Sequence, residues 1–117
     1  MNGMQYTLIA FVSLIHIYIV ILEMFLWTQP KGIKTFRLKS KQFAEETKVL
    51  AANQGLYNGF LAAGLIWSII SQKNDVAIFF LICVFIAGLY GSFSTKKPRI
   101  FAIQSIPALL ALASLIL

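Results

Sequence analysis

The 117-residue chain alternates between four long apolar blocks and three polar connections. The blocks fall at about 5–28, 49–71, 76–93 and 100–117. Within each, apolar residues run continuously instead of recurring three and four apart. A helix that is apolar all round belongs in a large core or in a bilayer, and a span needs roughly 17–25 residues. The last two blocks are at the short end of that range. Hydrocarbon offers no partner to backbone N–H and C=O groups, so each block is expected to be an α-helix. The second and third connections are short, which makes consecutive helices antiparallel neighbours. The pattern therefore predicts an all-α fold, an integral membrane four-helix up-down bundle, with residues 1–117 forming a single membrane domain.

Composition agrees. Hydrophobic residues make up 59% of the chain and charged residues 12%, against about 25% charged in a typical soluble domain. The net charge of +6 would suit a nucleic-acid partner, but its placement argues for a membrane. Lys31, Lys34, Arg37, Lys39, Lys41 and Lys48 lie in the first connection (29–48), and Lys96, Lys97 and Arg99 in the third (94–99). Only Lys73 lies in the second connection, so nine of the ten basic residues fall on one side. By the positive-inside rule that side is cytoplasmic, both termini are outside, and the bases meet anionic headgroups. The opening MNGMQYT has no basic residue and no cleavage site follows the first block, so that block reads as a span and not a signal peptide. Trp27, Trp67 and Tyr6 sit near span ends, where interface aromatics belong. In the first connection Phe36, Leu38 and Phe43 interleave with the bases, as in a segment lying on a headgroup surface. Residues 42–48 favour helix, with Glu45 and Glu46 expected in its first turn, where acids suit the helix dipole.

The candidate chemistry is confined to a few polar side chains inside the blocks. No metal-binding spacing, phosphate-binding glycine loop or nucleophile elbow is present, so neither metal nor cofactor is expected. The lone Cys83 reads as packing. Glu23 is the only acid in any apolar block. Counting 1.5 Å per residue, Glu23 lies roughly 7 Å inside the cytoplasmic edge, with Asn53, Gln54, Tyr90 and Gln104 at about 5–8 Å on the other three helices. His16 and Asn58 lie deeper, about 18 Å and 14 Å from that edge. Such groups seldom face lipid, so a polar pocket inside the bundle is expected, with Lys48 reaching down to pair with Glu23 and Trp27 at the mouth. Gly55 and Gly59 form a GxxxG, which suits either a neighbouring helix or a dimer seam. Pro107, just past Gln104, either kinks the last helix or is tolerated.

The segments HIYIVILEMFLW, TKVLAANQGLYNGFLAAGL, AGLYG and QSIPALLAL resemble a family of small bacterial four-helix membrane proteins filed as a domain of unknown function. The resemblance covers nearly the whole chain. Its motifs include His16, Glu23, Trp27, Lys48, Asn53, Gln54, Asn58, Tyr90 and Gln104. It implies the same fold and a bacterial cytoplasmic (inner) membrane location, but no activity.

Three function classes follow. The favoured one is a pocket that binds, or transports, a small amphipathic or polar ligand, with or without proton coupling through Glu23. The second is a membrane-embedded enzyme using Glu23 and His16 as acid and base on a lipid-like substrate. The third is a scaffold whose polar layer only sets helix register. With nine of ten basic residues on one side, any homodimer should be parallel.

Overall fold

A computed structural model describes residues 1–117. The chain is all helical: α1 (Gly3–Met24), α2 (Pro30–Phe36), α3 (Lys41–Ser71), α4 (Asn74–Thr95) and α5 (Pro98–Ile116). Helices α1, α4 and α5 are each long and apolar enough to cross a membrane. At 31 residues α3 has the length, but Asn53, Gln54 and Asn58 dilute its apolar stretch. Helix α1 stops short of its expected block, but α3, α4 and α5 each begin before theirs, so only Gln72 and Lys73 separate α3 from α4, and only Lys96 and Lys97 separate α4 from α5. The chain divides into two compact units, residues 1–15 with 61–117, and residues 16–60.

The first unit has an apolar core of Ile9 and Val12 on α1, Leu65 on α3, Ala77, Leu81 and Val84 on α4, and Ala108, Ala111 and Leu112 on α5. On α4 the buried positions Ala77, Leu81, Val84 and Gly88 step by four, three and four, which makes one stripe. The opposite side of α4 is as oily as the core: Phe79, Ile82, Ile86 and Phe93 are all exposed. A helix with two apolar faces has its second face suited to lipid. The start of α1 is fixed by a reciprocal cap, in which Asn2 N–H donates to Gln5 Oε1 and Gln5 N–H to Asn2 Oδ1, both at 2.8 Å. Gln5 Nε2 then donates to the Ser114 carbonyl of α5 at 2.7 Å.

Helix α5 resolves the question posed by Pro107. Proline has no N–H to donate and its ring crowds the carbonyl four residues back. The helix widens to π geometry over Phe101–Ser105, with the Ile106 N–H donating to the Phe101 carbonyl. One inserted residue in the turn thus absorbs the proline. In the same stretch Ser105 Oγ donates to the Phe85 carbonyl of α4 at 2.9 Å. Gly88 permits that approach, because a Cβ there would collide with Ser105 Oγ and lie 2.9 Å from Gln104 Cβ.

The second unit holds the C-terminal part of α1, the short α2 and residues 41–60 of α3. Pro30 occupies the first turn of α2, and Arg37 ends the helix with φ 53°. Gly32 packs so closely on the Leu26 carbonyl that no side chain would fit. Ser40 caps α3, its Oγ accepting from the Phe43 N–H at 3.0 Å. The helix therefore starts at Lys41 and its first turn contains no acid. This moves Glu45 and Glu46 out of the first turn where they were expected. Glu45 instead pairs with Lys41 at 3.9 Å and Lys48 at 3.3 Å. Beyond it, Ala44, Ala51, Gly55 and Asn58 form the buried stripe of α3.

Candidate functional site

The site is set by the approach of α3 to α1 within the second unit. Gly55 lies against the end of α1, where a Cβ would sit 2.6 Å from Met24 Cγ and 3.1 Å from Glu23 Cβ. Gly59, one turn on, faces Val20. The GxxxG is thus an intrachain contact with α1, which settles its role against a dimer seam. Glycine at position 55 lets the two helices approach closely, whereas a Cβ at position 59 would make an ordinary 3.7 Å contact with Val20. Asn58, three residues past Gly55, shares its face and reaches Glu23.

Asn58 Nδ2 donates to Glu23 Oε1 at 2.6 Å. Its second contact is to the Gln54 main-chain carbonyl at 3.3 Å. Both side chains are buried, with Glu23 5% and Asn58 9% exposed. Depth counting had set them on different levels, and the discrepancy has a simple origin. Helix α1 ends at Met24 and α3 starts at Lys41, four and eight residues before the expected limits, so depths counted from those limits do not share one level on the two helices. The contact itself sets Glu23 beside Asn58.

The other candidates divide clearly. His16 is fully buried, and its Nε2 takes no hydrogen bond from the chain. Two turns of α1, roughly 10 Å, separate it from Glu23. Asn53 and Gln54 are exposed on α3, because the buried stripe passes through Ala51, Gly55 and Asn58 instead. Tyr90, in the first unit, is 70% exposed. Gln104 is half-buried there, beside Gly88. Lys48 does not reach Glu23; its partner is Glu45, in keeping with an exposed lysine one turn along the same helix face.

Trp27 has a definite structural task. Its Nε1 donates to Thr47 Oγ1 at 3.0 Å, and Thr47 in turn donates to the Phe43 carbonyl at 2.7 Å. The indole lies 5.0 Å from the Phe36 ring. Trp27 thus ties the α1–α2 turn to the start of α3. Sequence reasoning missed Thr47, although a half-buried indole N–H needs an acceptor, and a threonine in the basic connection was available.

The model of a family described as a protein of unknown function (DUF1304) matches residues 10–116. The chain belongs to the DUF1304 family. The matched region contains all nine candidate residues of this DUF1304 chain. It is also similar to the Uncharacterized protein YpaA of Lactococcus lactis subsp. lactis, at 32% identity over 106 residues, covering 88% of each chain. No solved structure matches the DUF1304 chain.

Proposed function

We propose that this DUF1304 chain is a four-span protein of the bacterial cytoplasmic membrane whose Glu23–Asn58 pair forms the base of a binding site for a small amphipathic or polar ligand. The observation that carries the reading is the incomplete satisfaction of a buried carboxylate. A carboxylate can accept about four hydrogen bonds, and Glu23 receives one from the chain, through Oε1. Its other oxygen suits a ligand hydroxyl, an ammonium or a proton. Polar groups at this depth are costly unless they have a partner or a task.

The orientation follows from the charge pattern: both termini outside, 29–48 and 94–99 in the cytoplasm. Helix α3 is the second of the four spans, its deepest polar side chain already bonded to Glu23. Transport across the membrane, with proton exchange at Glu23, is the extension of this reading. A scaffold role is the second reading, and the fit of Gly55 against Met24 and Glu23 favours it.

Native mass spectrometry from gentle detergent separates the two, with wild type run beside Glu23→Gln. A small-molecule adduct on the wild type that Glu23→Gln loses is the expected result. An adduct retained by Glu23→Gln, or no adduct together with a destabilised variant, assigns the carboxylate to holding helices.

A further inference from the structure

The polar residues that α3 leaves outside its packing have no counterpart in the chain. Asn53, Gln54 and Tyr57 are exposed, and none of their side chains makes a hydrogen bond within the protein. They sit among Val49, Leu50 and Phe60, which are 67%, 70% and 57% exposed. At about 100° per residue, Asn53, Tyr57 and Phe60 share one face, with Val49 and Leu50 flanking it and Gln54 further round, beyond Leu50. That face is opposite the Ala51–Gly55–Asn58 stripe. On a soluble helix water would satisfy the two amides and the phenol. Four to eight residues into an apolar stretch, hydrocarbon does not.

We infer that this face seats a second copy of the chain. A primary amide is both donor and acceptor, so it is its own complement. Two copies related by a twofold axis along the membrane normal bring residues of equal depth together. Asn53 then meets Asn53 of the partner, each donating and accepting, with Gln54 and Tyr57 alongside. The nine-to-one distribution of basic residues gives every copy the same orientation, which this symmetry requires. The aromatic pair Tyr57 and Phe60, with centroids 6.1 Å apart, supplies apolar area beside the amides. The inference rests on the membrane reading of α3, but not on ligand binding at Glu23.

The test is disulfide cross-linking in native membranes, in a Cys83→Ala background. Phe60→Cys reports on the proposed face while leaving the amides intact. Ile86→Cys, on the exposed side of α4, is the control. The expected result is a covalent dimer from Phe60→Cys and none from Ile86→Cys. Adding Asn53→Leu with Gln54→Leu should reduce the dimer about tenfold. Equal cross-linking at both cysteines, none at Phe60→Cys, or a dimer that survives loss of both amides would overturn the interface. The same membranes washed with carbonate report on insertion separately. Release of the protein by the wash would overturn the membrane reading itself, and the interface with it.

Discussion

The two units handle buried polarity differently. In the first, Ser13, Ser68 and Ser105 are buried, and each hydroxyl donates to a main-chain carbonyl: Ala62 at 3.3 Å, Leu65 at 2.6 Å and Phe85 at 2.9 Å. In the second, side chain meets side chain, Asn58 with Glu23 and Trp27 with Thr47. A main-chain carbonyl is present whatever residue carries it, so a serine that uses one needs no partner of its own. A side-chain pair exists only while both members do. The first unit is therefore tolerant in its polar positions, and the second is not.

The largest effect expected from this difference is at the Glu23–Asn58 pair. Asn58→Leu leaves a buried carboxyl with no hydrogen bond from the chain, at a cost of about 2–4 kcal/mol. Replacing both members, as Glu23→Leu with Asn58→Leu, should recover most of that loss, because no polar group is then stranded. Denaturation of the purified protein in mixed micelles, run as a double-mutant cycle, measures the coupling. Additive losses would show that the two groups are not a unit and would erase the contrast between the two regions.

The extent to which this was readable beforehand follows the same division. Continuous apolar blocks establish helices, and the positions of α1, α4 and α5 were legible because nothing else buries such runs. Glu23 and Asn58 were legible as unusual residues, but their pairing was not. It depends on where α1 stops, and the apolar run continues through Phe25, Leu26 and Trp27 after the helix has ended at Met24. Hydropathy cannot register that end. The choice between Gln54 and Asn58 depends on which stripe of α3 faces α1. Gly55 decides it by close approach, a matter of shape that spacing alone leaves open. The early start of α3 at Lys41 was written in Ser40, a good N-cap residue, hidden among lysines that signalled topology.

Shape is the first unit's vulnerability, which gives the next prediction. Gly88→Ala would put a methyl into Ser105 Oγ and within 3.0 Å of the Ser105 main-chain nitrogen. Backbone cannot step aside as a side chain can, so a loss of about 1–3 kcal/mol is expected. Gly55→Ala in the second unit meets Met24 Cγ and, at 3.1 Å, Glu23 Cβ, with no main-chain atom of α1 nearer than 3.5 Å, and should cost less. The same micelle denaturation ranks the two. The reverse order would mean that the Glu23 neighbourhood is the more rigid, and would strengthen the scaffold reading at the expense of ligand binding.

The smallest effect belongs to the serines. Ser105→Ala removes the donor to Phe85, but that carbonyl already lies within α4 and keeps its helical partner. Interhelical hydrogen bonds of this kind average roughly 0.6 kcal/mol in membrane proteins. The alanine also relieves crowding at Gly88, which offsets part of the loss. Ser105→Ala should therefore lie within about 0.5 kcal/mol of wild type, and combined with Gly88→Ala it should soften the larger penalty, since the Oγ in the path of the new methyl is gone. A loss at Ser105→Ala comparable to that at Asn58→Leu would show that the hydroxyl holds α5 at its π-helical turn, where Pro107 already removes one backbone donor. In that case the widened turn, and not the apolar stripe of α4, would set the register between α4 and α5.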